Sequence, residues 1–283
     1  MQMFRRRSRM KNKPPFFVCS LSGGKDSSAM LLRLLEENRP VDMILFCDTG
    51  LEFPDMYTHL EKLEKYIGRP ITRIKADYSF EYYFSEATIK REDPEKFRAL
   101  FGKDYNGYGW MGPKMRWCTN RLKDQPREQF LRSLREKYDI RQYVGIAADE
   151  KYRLERKNNQ RSECIHPLVE WNMTEADCLK YCYERGFDWN GLYDRFKRVS
   201  CWLCPLQSLS ELRKLWEFYP DLWAKLRQYD EMTWRKYRAD YSVKELEIRF
   251  AFENECLEKG ISVRNKTFFT ALKQRLEDAD DKT

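Results

Sequence analysis

The stretch FFVCSLSGGKDS, residues 16–27, decides the fold. Two phenylalanines, a valine and a leucine run directly into two glycines, a lysine and an aspartate. The short apolar run reads as a strand of a sheet covered on both faces. The next residues, SAMLLRLLEEN, place Met30, Leu31, Leu34 and Leu35 at helical spacing. The polar turn therefore lies between a strand and a helix. There Gly23 and Gly24 allow backbone conformations closed to other residues and a close approach to a ligand. The first free N–H groups of the helix point at the same spot, which makes the turn an anion cradle. Lys25 adds a point charge, Ser22 and Ser27 add hydroxyls, and Asp26 can hold a hydrated magnesium that bridges phosphate oxygens. The implied ligand is a nucleotide phosphate. Neither a Walker loop nor the G-x-G-x-x-G fingerprint is present.

The segment VDMILFCDTGLEFPD, residues 41–55, is a second apolar run ending in a polar turn, with Asp48, Thr49 and Glu52 at its carboxyl end. MYTHLEKLEKYIG continues as a helix with Tyr57, Leu60, Leu63 and Ile67 on one face and a stopping glycine, and ITRIKAD is a third strand. Strand and helix alternate, so the expected fold is α/β, a doubly wound parallel sheet. Its ligands would bind beyond the carboxyl ends of the strands, where residues 22–27 meet Asp48, Thr49 and Glu52. Residues 78–113 break the rhythm, and the glycine- and aromatic-rich DYNGYGWMGP reads as an insertion or active-site lid. The rhythm resumes with a helix near residues 127–138, the strand RQYVGIAADE, the segment CIHPLVEW, and the helix TEADCLKYCYERGF opening on a Thr174 cap with Asp177. From Leu206 the chain is helical, with Leu209, Leu212, Leu215, Trp216 and Tyr219 at packing intervals. The expected organisation is an arm at 1–13, a nucleotide-binding domain at 14–205 and a helical C-terminal part at 206–283.

The chain of 283 residues has 42% hydrophobic and 35% charged residues and no apolar run of membrane length, so no membrane span is expected. Its formal charge of +8 is concentrated in MQMFRRRSRMKNK, which carries six basic residues and no acid, leaving +2 for the remainder. That arm is either a solvated terminus or an electrostatic tether for nucleic-acid phosphates, and it is too short to read as a secretory signal. Nine cysteines, an odd number, argue for a reducing cytoplasm and for metal or catalytic use of some of them. SCWLCP holds Cys201 and Cys204 as C-x-x-C. Cys118 stands in MRWCTNRLKDQP beside Arg116, Arg121 and Lys123, a basic setting that favours thiolate. Cys19, Cys47, Cys178 and Cys182 read as small hydrophobes.

SGGKDS is similar to the PP-loop of the adenine nucleotide alpha-hydrolase superfamily, whose members split ATP between the α and β phosphates or bind related adenylates. With DTGLEFPD, RWCTNRLKDQP, GIAADEKYRLER, HPLVEWNMTEADCLKYC, GLYDRF and CWLCP, in that order, the chain resembles the phosphoadenosine phosphosulfate (PAPS) reductase-like family over about residues 16–206. The resemblance implies an adenine nucleotide held by residues 22–27, Asp48 and Thr49. It places Asp149, Glu150, Arg153 and Arg156 toward nucleotide and substrate, while Lys151, Lys157 and Arg161 read as solvated charges. Lys25, Asp26 and Cys118 are the implied catalytic residues.

Cluster-bearing adenylyl sulfate reductases of the family hold a four-iron four-sulfur cluster on a Cys-Cys pair and a distant C-x-x-C. Cys118, Cys201 and Cys204 fall on three of those places, and Trp117 and Thr119 flank Cys118, so a fourth cysteine is missing. The reductases' C-terminal cysteine segment has no counterpart, Cys256 being the only cysteine of the C-terminal part. These departures favour relatives that use ATP and Mg2+ to thiolate tRNA or DNA, with a three-cysteine iron–sulfur cluster and a sulfur donor such as a cysteine desulfurase or sulfide. Zn2+ completed by Cys164 or His166 is the alternative metal. The rival functions are a reductase releasing sulfite and a non-catalytic nucleotide-binding subunit. Homodimer assembly is compatible with any of them.

Overall fold

The computed structural model describes residues 13–157, 159–199 and 201–280. The basic arm therefore lies outside the described residues, apart from Lys13. The chain divides into two compact units, one of residues 1–79 and 118–201 and another of residues 80–117 and 202–283.

The first unit is the α/β sheet that the sequence predicts. Strand β1 (Pro15–Leu21) leads into helix α1 (Lys25–Glu36), β2 (Met43–Cys47) into α2 (Pro54–Ile67), and β3 (Thr72–Ile74) follows. Helix α3 (Gln125–Arg135), β4 (Asp139–Val144), the short β5 (Cys164–Ile165) and α4 (Glu175–Tyr183) complete it. The strands lie in the order β3-β2-β1-β4-β5, every pairing parallel. Val18 and Cys19 of β1 and Leu31 and Leu34 of α1 are fully buried, each large aliphatic contributing about 1.5–3 kcal/mol. The segment CIHPLVEW forms strand only at Cys164–Ile165, because Pro167 turns the chain into a short helix, Pro167–Glu170. Helix α4 begins with the Thr174–Asp177 capping box read from the sequence.

Strand order fixes where a ligand can sit. From β1 the chain winds outward through β2 and β3, then returns to place β4 on the other side of β1. The winding reverses between β1 and β4, and their carboxyl ends diverge into a crevice there. The loops at that crevice are residues 22–24 after β1 and the turns that follow Val144.

The second unit is helical and aromatic. Helices α5 (Leu209–Phe218), α6 (Pro220–Glu231), α7 (Val243–Glu258) and α8 (Lys266–Asp280) bury Leu212, Leu215, Trp223 and Phe250, and Phe252 stacks on Phe268 at 5.1 Å. The DYNGYGWMGP segment belongs to this unit's core: Trp110 is fully buried and its indole N–H donates to Asp230 at 2.7 Å.

Candidate functional site

The first unit gathers its polar groups at the β1–β4 crevice. The turn is held in shape by its own serines. Ser22 N–H donates to Ser27 Oγ at 3.1 Å, the two hydroxyl oxygens are 2.9 Å apart, and Ser27 Oγ donates to the Gly24 carbonyl at 3.1 Å. Gly23 has φ of +79°, the left-handed region that favours glycine, and a Cβ there would lie 2.5 Å from Met56 Sδ. Gly24 has φ of −75°, open to any residue. Of the two glycines, only Gly23 needs its special backbone freedom, which corrects the sequence reading; at Gly24 a Cβ would stand 3.2 Å from the Tyr193 hydroxyl.

Behind the turn, Trp189 Nε1 donates to the Gly23 carbonyl at 2.8 Å and stacks on His59, ring centroids 4.3 Å apart. His59 Nε2 lies 3.0 Å from Ser28 Oγ, and burial pushes its imidazole down to about 3, so the ring stays neutral at physiological pH. This wall is structural and fixes the start of α1.

At the front of the turn, Lys25 is 7% exposed and donates to Glu175 Oε1 at 2.8 Å, with Asp26 at 3.5 Å. Burial alone would lower the Lys25 ammonium, but Asp26 and Glu175 outweigh it and hold it above its ordinary value. Asp26 moves the opposite way. Burial, with repulsion from Glu175 and Glu150, pushes its carboxyl up to about 6 against the attraction of Lys25. Its Oδ1 is buried without a hydrogen-bond partner. Asp26, Glu150 and Glu175 each bring one ligand oxygen within 4.8 Å of the others. Three carboxylates, with the buried Asp26 Oδ1 met by Lys25 at 3.5 Å, make a hard oxygen donor set that fits magnesium.

Asp149 acts on Glu175. Its Oδ1 accepts the Glu175 N–H at 3.1 Å at the start of α4, which fixes Glu175 opposite Lys25. Glu150 also pairs with Arg153. Gly145, just beyond β4, allows the two sides of the crevice to touch, since a Cβ would come within 3.1 Å of Ser27 Cα and 3.2 Å of Ser27 N. The Lys25 N–H donates to the Tyr193 hydroxyl at 2.8 Å. Tyr193 thus occupies an amide that an anion would otherwise take, with its own proton left to donate.

Beside β2, Asp48 accepts from Tyr57 O–H at 2.8 Å and Gly50 N–H at 3.0 Å and pairs with Lys75 at 3.2 Å. Burial would raise its carboxyl, but these donors hold it below the ordinary range. Thr49 donates to Glu52, and Lys123 pairs with Glu52 at 3.5 Å.

On the β5 side a cavity of about 430 Å³ is lined by Arg127, Arg153, Arg156, Lys157 and Arg161 together with Cys164. Lys157 and Arg161 line this pocket and are both exposed, in keeping with the solvated charge the sequence suggested. Ser20 Oγ and Arg127 Nε, both on this lining, are buried without partners. His166 Nε2 lies 3.0 Å from the Asn159 carbonyl oxygen.

Cys118 and Cys201, in the first unit, and Cys204, in the second, are half-buried cysteines. Lys123 is held above its ordinary value first of all by the Cys201 sulfur, a pairing that favours thiolate. Cys19, Cys178 and Cys182 are buried. Sequence reading missed Glu175, Gly145, Tyr193 and His59. Glu175 and Tyr193 stood in quoted motifs, but nothing local shows that they reach Lys25 across 150 and 168 residues.

A glycine turn between β1 and α1, three converging carboxylates and a crevice at the reversal of a parallel sheet define an α/β nucleotide-binding fold of the PP-loop type. The model of the phosphoadenosine phosphosulfate reductase domain matches residues 17–207, and the chain belongs to that family. Among curated relatives, two uncharacterized proteins of Methanocaldococcus jannaschii are 30% and 28% identical over 76% and 78% of this chain, but 47% and 43% of their own lengths. The chain thus spans about half the length of these relatives. An adenosine 5'-phosphosulfate reductase of Geobacillus kaustophilus is 28% identical over 65% of this chain and 72% of its own. A crystal structure of phosphoadenylyl-sulfate reductase from Candida auris, a phosphate complex, aligns with a TM-score of 0.43 at 18% identity, covering 71% of this chain and 87% of that one. No helix among the described residues is long and apolar enough to cross a membrane.

Proposed function

We propose that the chain is an ATP-dependent sulfurtransferase that adenylates a nucleic-acid acceptor, tRNA or DNA, and prepares it for sulfur insertion. The observation that carries this reading is the convergence of Asp26, Glu150 and Glu175 within 4.8 Å beside Lys25. Splitting ATP between the α and β phosphates expels pyrophosphate, a highly charged leaving group that a divalent cation stabilises. In the rival reaction a thiol attacking the sulfur of an adenylyl sulfate displaces AMP, which carries less charge than pyrophosphate.

In this reading the turn at residues 22–27 holds the β and γ phosphates. Asp26, Glu150 and Glu175 would hold Mg2+, which supplies charge neutralisation at the phosphate oxygens. Lys25 leaves Glu175 for the phosphates, and Tyr193 keeps the Lys25 N–H while donating its proton to a phosphate oxygen. An acceptor oxygen attacks the α phosphorus and pyrophosphate departs. Sulfide, supplied as such or released from a desulfurase persulfide by a thiol that is thereby oxidised to the disulfide, then displaces AMP. The arginines of the β5-side cavity suit the acceptor's anionic groups.

Cys118, Cys201 and Cys204 would be the thiolate ligands of an iron–sulfur cluster, whose chemistry would be the supply of sulfide. The half-buried thiols and the ammonium of Lys123 beside Cys201 suit thiolate ligation. This chemistry belongs to a reducing cytoplasm.

The likeness to an adenosine 5'-phosphosulfate reductase favours one other reading, reduction of an adenylyl sulfate to sulfite. Calorimetry separates the two at the site. Under the sulfurtransferase reading, ATP binds only with Mg2+, and Glu175→Gln lowers that affinity about tenfold, one lost charge contact of about 1.4 kcal/mol. ATP binding that ignores both Mg2+ and Glu175→Gln would sink it.

A further inference from the structure

The second unit contains a cavity of about 570 Å³ that the nucleotide chemistry does not use. Gly112, Pro113 and Leu206 line one part of it, and Arg235, Lys236 and Arg238 another. Two of these cations are neutralised locally. Lys236 pairs with Glu245 at 2.7 Å, while Arg238 pairs with Asp240 at 2.8 Å and donates to the carbonyls of Pro205 and Gln207 at 2.8 and 2.7 Å.

Arg235 differs from both. Its Nη1 reaches only the Met115 thioether at 3.7 Å, a weak acceptor, and Nη2 lies 3.0 Å from where a Cβ on Gly112 would stand. Among the described residues no carboxylate pairs with it. Burial, unopposed, draws its guanidinium below its ordinary value. The neighbouring Trp234 also buries an indole N–H without an acceptor. Neither its Nε nor its Nη2 is sealed from water, so the guanidinium lines the cavity with donors that an incoming anion can take. The guanidinium fork fits phosphate oxygens, and the cavity has room for a nucleotide unit against the apolar Pro113 and Leu206.

We propose that this cavity is a phosphate-binding site anchored by Arg235, and that it seats a backbone phosphodiester of the acceptor nucleic acid. The second clause rests on the proposed function, and the first does not.

The test is fluorescence anisotropy of labelled tRNA and labelled duplex DNA with wild type, Arg235→Ala and Arg235→Lys across a salt series, with ATP calorimetry as the control. Arg235→Ala should weaken binding of the polymer by up to about tenfold and reduce the salt slope by about one, while ATP affinity stays unchanged. Arg235→Lys should keep the slope and lose part of the affinity, because it keeps the charge and loses the fork. Arg235→Ala should melt no lower than wild type, since it removes a half-buried charge without a partner. Polymer binding with unchanged affinity and slope in Arg235→Ala overturns the proposal, and a fall in Tm alongside would mark Arg235 as a packing residue. If wild type binds neither polymer, the acceptor reading fails, and calorimetry with the dinucleotide dTpT and inorganic phosphate decides the cavity. Binding lost in Arg235→Ala sustains a phosphate site, and no binding overturns it.

Discussion

Replacing Asp26 by Asn should stabilise the first unit while disabling its site. Burial, with repulsion from Glu175 and Glu150, raises the Asp26 carboxyl from its ordinary 3.8 to about 6 in the fold. A folded value above the unfolded one means that the folded state holds its proton longer. Below about pH 3 both states are protonated and the group contributes nothing. Between pH 4 and 6 the unfolded chain ionises first and stability falls, and above pH 6 the full penalty stands. At 1.36 kcal/mol for each pH unit the penalty is about 3 kcal/mol at neutral pH. The side chain is 20% exposed, so solvent screens only part of it. Asparagine mimics the neutral acid and removes the penalty. Hydrogen exchange of β1 and α1 peptides in EDTA, corrected for intrinsic rates, should show Asp26→Asn more protected by about 2–3 kcal/mol at pH 8 and by only about 1 kcal/mol at pH 4.5. Mg2+ with ATP should raise protection in wild type and leave the variant unchanged. Equal protection at pH 8 would refute the raised carboxyl and, with it, the argument that Asp26 is held ready for a cation.

Gly145→Ala should fold at a cost of about 1–3 kcal/mol, because its Cβ would meet Ser27 backbone at 3.1 Å, and should weaken ATP binding by spreading the crevice; calorimetry and thermal melting check both. Gly23→Ala should cost about 1–2 kcal/mol through its φ of +79°, whereas Gly24→Val should keep its fold, as read by circular dichroism, and lose nucleotide affinity by displacing Tyr193. Under the cluster reading, anaerobically prepared protein should be brown, and Ala at Cys118, Cys201 or Cys204 should bleach it with ATP binding retained. Colourless protein carrying zinc on four ligands, Cys164 or His166 among them, contradicts that reading.

The sheet was legible because its signals are local. FFVCSL and DMILFC are runs of β-formers that end in polar turns, and Thr174 with Asp177 announces α4 within four residues. The reversal of strand order at β4 left no local trace, yet it locates the crevice. The cradle was legible as a motif, but its internal division was not. Only backbone angles distinguish Gly23 from Gly24, and only the fold brings Glu175 and Tyr193 to Lys25. Asp149 looked like a ligand because it neighbours Glu150, yet its carboxylate is spent on the Glu175 amide. DYNGYGWMGP read as an insertion or active-site lid, and the fully buried Trp110 packs it into the second unit.

The central claim is that the turn and its three carboxylates split ATP at the α phosphate. The direct measurement incubates anaerobic protein and Mg2+ with ATP labelled at the α phosphate and tRNA or DNA, and in parallel with an adenylyl sulfate and a thiol reductant. The account expects pyrophosphate release with label appearing on the acceptor and then in AMP, and loss of both in Asp26→Asn. Sulfite from the adenylyl sulfate, with no pyrophosphate from ATP, would contradict it.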